Sequence, residues 1–479
     1  MINNSLQGAL QKAIRDALGC ANSYEGDLHA LANLYGVADG AISGRLIPVA
    51  QKHDSTIGTA SGALNYLLLN PTQLPTLGLN MVDGTDVLDS RVTFTRASSG
   101  TRTNSAGTLV TMTTDEPRFD YDPSTLASKG LLIEEQRTNL TSYSDDATQW
   151  GAGSNMGTTQ SNVEISPDGT LNADKLIENT ANSTHFLSQS QTTSYTSGTA
   201  YTRSAFVKYG GRQYFALYLP ALAFPDAGRT AVFDLQAGTV ATSEAGVTAS
   251  IVAGSNGWYR CIITATADAT VSSHVGGFQV SDNASLNAYV GDGVSGVFVY
   301  GAQLEAGAFA TSYIPTATAA ATRAADSAVI STLTPWYNQS AGTFYVKAIG
   351  VANTQSATRR FIEIGDGTIN ERMILGYSAT ISSRLLVVDG GATQADITAN
   401  ATAGSVVKMA ASFAANDFRQ ATNGVSGVAD TSGGVPTVTT VYIGRDFAGA
   451  DTTTLNGWLQ TFAFYQAALP NATLQALTA

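Results

Sequence analysis

Two adjacent carboxylates and an arginine stand together in "GLLIEEQRTNL" (130–140), as Glu134, Glu135 and Arg137. A carboxylate pair can cleave a glycosidic bond when both groups flank one cleft about 5–9.5 Å apart. Three apolar residues precede this pair, so the segment reads as extended, and adjacent side chains on a strand point to opposite faces. Glu134 and Glu135 therefore need separate partners, Arg137 being one candidate. The stretch is expected to be a structural junction, with Leu131, Leu132 and Ile133 docking into a core. Asp120 and Asp122 in "DEPRFDYDP" stand at i,i+2 and share a strand face. A calcium loop needs more oxygen ligands at regular spacing, so a rigid turn bounded by proline is the expectation there. The pairs Asp115–Glu116 and Asp145–Asp146, with Asp366, are of a kind any acidic protein offers.

A second constellation is aromatic. "YGGRQYFALYL" (209–219) places Tyr209, Arg212 and Tyr214 beside a Gly-Gly turn. Tyrosine and arginine near a sandwich loop can stack on a sugar and hydrogen-bond it, which makes these three the candidate ligand-binding residues. An aromatic core with one surface arginine is the competing reading. His29, His53, His185 and His274 show no metal-ligand spacing, and neither a G-x-S-x-G elbow nor a P-loop is present. No metal, no cofactor and no enzymatic activity are expected.

Composition narrows the class. The 479 residues suggest about three domains, and an apolar fraction of 43% can furnish their cores. Charged residues make up only 13%, about half the usual ~25%. A net charge of −12 without a basic run excludes nucleic acid as an expected partner. Cys20 and Cys261 cannot make a disulfide framework. Residues 1–20 lack the apolar core of a signal peptide, and no run approaches the ~20 residues of a membrane span. The expectation is synthesis and folding in a cytoplasm, without membrane insertion.

Two periodicities divide the chain. Leu6, Leu10, Ile14 and Leu18 recur every four residues before Gly19, and Asp27–Tyr35 suits a second short helix. Residues 67–80, with two prolines, read as an extended surface connector. From about residue 90 the period is two. In "GWYRCIITATA", Tyr259, Cys261 and Ile263 face one way and Trp258, Arg260 and Ile262 the other; Phe233 and Leu235 share a side in "TAVFDLQAGTV". Many short strands separated by Gly, Ser and Asn turns indicate sandwiches or jelly rolls. "NGWYRCIITATA" at 256 and "NGWLQTFAFYQAAL" at 456 echo each other, as two sandwiches in tandem would. The Ala/Thr-rich "YIPTATAAATRAADSAVI" (313–330) is the expected boundary.

"RVTFTRASSGTRTNSAGTL" (91–109), "DEPRFDYDPSTLASKGLLIEEQRTNL" (115–140), "PDGTLNADKL", "SGTAYTRSAFVKYGG", "FDLQAGTV", "GWYRCIITATA" and "VYGAQLEAGAFATSYIPTATAAATRAADS" (299–327) follow in an order that resembles one family. It is that of head-spike or tail fibres of tailed phages and phage-like particles (the gene transfer agent type) with lectin-like modules. "GTFYVKAIG" and "LNGWLQTFAFYQAALPNATLQAL" make the last part similar to concanavalin-like lectin or laminin-G domains. The resemblance implies a mainly β chain of tandem β-sandwiches, jelly-roll and concanavalin-like, after a short helical N-terminal anchor. The implied division is 1–80 for attachment, 81–140 as linker, 141–325 as a carbohydrate-binding jelly roll and 326–479 as the second sandwich. Implied partners are host cell-surface glycan and other particle proteins, met at a virion or particle surface by a homo-oligomer, a trimer being favoured. The resemblance assigns no sugar-contacting residues. A capsule depolymerase and a purely structural decoration protein are the alternatives.

Overall fold

The computed structural model describes residues 75–151, 153–189, 194–225, 228–272, 276–350, 358–378, 382–402 and 404–479. The expected N-terminal helices, with Cys20, His29, His53 and His274, lie outside the described residues. The rest is mainly β, in antiparallel sheets, with one α-helix of eight residues among the described residues at Asn471–Thr478.

The chain forms two compact units, and the division differs from the linear one read from the sequence. Phe94–Ser327 makes one unit; of the described residues before it, 75–93 join Ala328–Ala479 in the other. The first unit is thus inserted between parts of the second. Residues 94–140 are an integral part of the inserted unit rather than a linker. Nor is 67–80 a surface connector throughout: Leu77–Asn80 is a strand paired with Thr461–Phe464, and Leu77 and Leu79 are buried. Aspartate at Leu77 would bury an unpaired charge. We expect Leu77→Asp to cost this unit more than about 4 kcal/mol, measured as loss of its transition in thermal melting.

In the inserted unit, one sheet runs Thr248–Ala253, Trp258–Thr266, Ala200–Gly210, Gly296–Ala306, Leu171–Ile177, Gln160–Ile165. The other runs Thr239–Ser243, Thr230–Asp234, Tyr214–Tyr218, Gly276–Ser281, His185–Gln189, Gly153–Ser154. The alternating apolar residues of both sheets meet in a single core. Val207, Cys261, Ile263 and Val299 come from the first sheet; Leu187, Phe215, Leu217, Phe233 and Phe278 come from the second. Trp258 points to the opposite face of its sheet, into a smaller cluster with Ala173, Tyr300 and Tyr313. Asn256 and Gly257 both adopt positive φ and close the hairpin before Trp258, as an Asn-Gly turn requires. The echo at Asn456 is only partial, because a 3-10 turn at Asp451–Thr453 rather than a hairpin strand precedes it.

The other unit is also a sandwich. One sheet carries Asp417–Thr422, Val406–Ala414, Ala341–Gly350 and Gly457–Tyr465 side by side. The other carries Ser327–Ile330, Thr440–Ile443, Arg359–Gly365, Arg372–Tyr377, Ser382–Asp389 and Ala392–Asn400. Phe344 and Phe413 stack on the first sheet, with Phe464 tilted against both. Buried Gln420 ties the sheets by accepting from the Leu385 N–H and donating to Ser383 Oγ. The C-terminal helix packs Leu474 against the outer side of the first sheet, beside Tyr345 and Tyr465.

Candidate functional site

The acidic pair of "GLLIEEQRTNL" lies just beyond the strand Ser128–Ile133, with Leu131, Leu132 and Ile133 buried. Glu134 and Glu135 are also buried, and their partners differ. The Glu134 carboxylate meets Arg118 at 2.7 Å and Arg323 at 3.5 Å, and accepts both the N–H and the hydroxyl of Ser312. Glu135 pairs with Arg137, as its spacing suggested. Arg118 also grips Asp326, which Arg96 reaches at 3.2 Å and whose Oδ2 accepts the Glu134 N–H. Arg323 donates to the Glu135 carbonyl at 2.6 Å. Arg96, Arg118, Glu134, Arg323 and Asp326 thus form one buried ionic network.

These five residues come from three of the sequence blocks that carry the family resemblance: 91–109, 115–140 and 299–327. Their convergence ties the start of the unit, at Arg96, to its end, at Asp326. The Ala/Thr-rich 313–330 segment is therefore no loose boundary: Tyr313, Ile314, Arg323 and Asp326 are all buried within it. Burial works to raise the Glu134 pKa, but Arg323, Arg118 and Ser312 hold it down at about 2. A carboxyl depressed in the folded state stabilises above its unfolded pKa, and that contribution is lost as pH falls through the folded value. Between the ordinary 4.5 and about 2 the network should lose roughly 3 kcal/mol. We expect the melting temperature of the unit to fall steeply below pH 4.5, and Glu134→Gln to flatten that dependence.

Asp120 and Asp122 each accept local hydrogen bonds. Asp120 accepts the Thr103 N–H, and Asp122 accepts from Ser124 and Thr125.

Tyr209, Arg212 and Tyr214 do not converge. Tyr209 stands at the exposed end of Ala200–Gly210 in one sheet, whereas Tyr214 opens a strand of the other. Gly210–Gln213 turns the corner between the sheets, with Gly211 at φ +114°. Arg212 is committed to buried Glu178, donating through Nε at 2.7 Å, while Tyr289 donates its hydroxyl to the same carboxylate and lies under the guanidinium. That arginine ties the corner to Glu178.

Tyr214 belongs to a different group. In "YFALY", Phe215 and Leu217 enter the core, so Tyr214, Ala216 and Tyr218 lie on the outer face of the sheet. Register places Ser281 and Asp234 beside Tyr214, Gln279 and Val232 beside Ala216, and Gly277 and Thr230 beside Tyr218. The next strand adds Phe186 opposite Gln279 and Ser188 opposite Gly277. Gly277 is required: a Cβ there would stand 2.2 Å from the Leu187 carbonyl and 2.5 Å from the Tyr218 hydroxyl. The Tyr218 ring end therefore lies over Gly277 and spans the strand toward Ser188. Its hydroxyl makes only long contacts, 3.4 Å to Ser188 Oγ and 3.5 Å to the Leu187 carbonyl.

Phe186, Tyr214 and Tyr218 are each partly exposed, and Ala216 and Gly277 keep the floor between them low. Gln279, half-buried, reaches the Leu286 carbonyl at 3.4 Å, and Asp234 is held by Gln213. Aromatic faces with amide and hydroxyl groups at their margin suit a ligand that offers both C–H surface and hydroxyls. Of the residues on this face, the sequence singled out Tyr214 but not Phe186, Tyr218, Gly277 or Gln279. The period-two alternation of "YFALY" carries the signal for Tyr218, while the others depend on register between distant strands.

No family model matches the chain, and no curated protein matches it. Among solved structures, it is similar to the Ruminococcus gnavus IT-sialidase CBM40 bound to α2,3-sialyllactose. The identity is 15% and the TM-score 0.26, over 29% of this chain and 84% of that one. A leech intramolecular trans-sialidase (14%, TM-score 0.26, 29% and 23% covered) and a Trypanosoma rangeli sialidase (12%, TM-score 0.26, 32% and 26%) are similar to the same degree. Likeness at this level carries no inference about ligand or activity.

Proposed function

We propose that this chain is a surface fibre or spike of a virion or phage-like particle, and that it attaches the particle to host-surface glycan through the Phe186–Tyr214–Tyr218 face. The row of partly exposed aromatics on the outer side of a β-sheet, floored by Gly277 and Ala216 and edged by Gln279, carries this reading. Sugar rings present C–H faces that stack on aromatic side chains, and their hydroxyls exchange hydrogen bonds with amides and hydroxyls. The ionic network through Arg118 and Asp326 holds the start and end of the module together, so that the face is presented on a rigid body. Single sugar contacts are weak, and a homo-oligomer, with a trimer favoured, would raise avidity without new contacts. The N-terminal region is the proposed attachment to other particle proteins.

The test is retention of the full-length protein on purified host-surface polysaccharide, with reducing ends assayed in the same incubation. Saturable binding without new reducing ends supports the reading. Release of oligosaccharides would favour a depolymerase, and absence of any binding would favour a decoration protein.

A further inference from the structure

On the outer face of the second sandwich lies a different set of groups. Pairing between Arg359–Gly365, Arg372–Tyr377 and Thr440–Ile443 sets Tyr442, Glu363 and Ile374 in one row, and Thr440, Gly365 and Arg372 in the next. Ile362, Ile364, Met373 and Leu375 fill the opposite, core-facing side. Glu363 is fully buried at the base of this patch, where its Oε2 accepts from Arg360 Nε at 3.1 Å. Arg372 comes no closer than 3.9 Å to the same oxygen, beyond hydrogen-bonding distance, and its Nε has no partner among the described residues. The neighbouring Glu371 is engaged by the N–H groups of Gly390 and Thr437.

One carboxylate therefore serves two guanidinium groups, and Arg360 holds it. Arg372, partly exposed, pairs with Glu363 only at 3.9 Å and is hydrogen-bonded to no acceptor among the described residues, on a chain whose net charge is −12. Gly365 removes the side chain between Arg372 and Thr440, and half-buried Tyr442 borders that gap. A guanidinium fork takes a carboxylate through two parallel hydrogen bonds, while the tyrosine offers a face or a hydroxyl to an attached ring. We propose that this patch is a second glycan site, distinct from the Tyr218 face, which takes the carboxylate of an acidic sugar on Arg372. It extends the glycan-binding reading and adds a charge requirement that the first face lacks.

The probes are an oligogalacturonate and its carboxyl-reduced, neutral counterpart, titrated calorimetrically into the full-length protein. The wild type should prefer the carboxylated probe by about tenfold or more, and less so at high salt. Arg372→Gln should erase that preference, Arg372→Lys should restore only part of it, and Tyr218→Ala should leave it in place. Thermal melting checks that each variant folds. Equal affinity of the wild type for the two probes, binding of neither, or an unchanged preference in folded Arg372→Gln would overturn the proposal. Loss of the preference in Tyr218→Ala but not in Arg372→Gln would also overturn it, and would assign the acidic-sugar contact to the first face.

Discussion

Replacing Glu134 with alanine should destabilise the inserted unit by about 3–5 kcal/mol, the cost of breaking a buried ion pair from one side. The loss goes beyond one salt bridge. Arg118 would keep Asp326 but lose its second carboxylate, Arg323 would lose its 3.5 Å partner, and the Ser312 N–H and hydroxyl would lose their acceptor. Arg96 and Arg118 would then share Asp326 alone, leaving excess positive charge among buried side chains. Chemical denaturation should show a lower midpoint for Glu134→Ala. Glu135→Ala, which removes the carboxylate paired with Arg137, should cost less, because that pair retains some exposure. If the two variants were equally stable, the network would not be the clamp described here. Neither change touches the Tyr218 face, so glycan binding should survive in whatever fraction remains folded.

Tyr218→Ala should have the opposite signature. Removing the ring that spans Gly277 takes away one of the face's aromatic surfaces and opens the strand beneath it. We expect binding to host-surface polysaccharide to weaken by about 2 kcal/mol per site, roughly thirtyfold in Kd. Oligomers would show a larger fall, since avidity multiplies the loss at each site. Stability should change little, because the hydroxyl makes only long contacts and the ring is not fully buried. Tyr218→Phe separates the two contributions: it keeps the stacking surface, so most of the affinity should remain. Surface plasmon resonance on immobilised polysaccharide, with melting curves for each variant, reads both quantities.

How much of this was legible in the sequence depends on the range of the interaction. Local alternation identified the strands and their faces, as with Cys261 and Ile263 against Trp258, and Phe233 with Leu235. The divergence of Glu134 and Glu135 also followed from local geometry. The insertion of one unit into another was not legible, because it rests on Leu77–Asn80 pairing with the last strand. The Thr76 hydroxyl reaches a Phe464 carbonyl 388 residues away, and nothing local in "LGLN" announces that partner. The ionic network was visible only as scattered arginines, since Arg96, Arg118 and Arg323 meet through tertiary structure. Tyr209 and Arg212 were grouped with Tyr214 by proximity in sequence, but the glycine corner sends the two tyrosines to different sheets. The lesson of that segment lies in register: Tyr214 and Tyr218, four apart on one strand, share a face that neighbours one residue closer do not.

The central claim, attachment through the Phe186–Tyr214–Tyr218 face, is tested most directly by a crystal structure of the protein soaked with an oligosaccharide prepared from host-surface glycan. The account predicts a sugar ring against the Tyr218 face, with hydroxyls within hydrogen-bonding distance of Gln279 or Ser188. Sugar bound elsewhere on the inserted unit, with this face empty at saturating ligand, would contradict it.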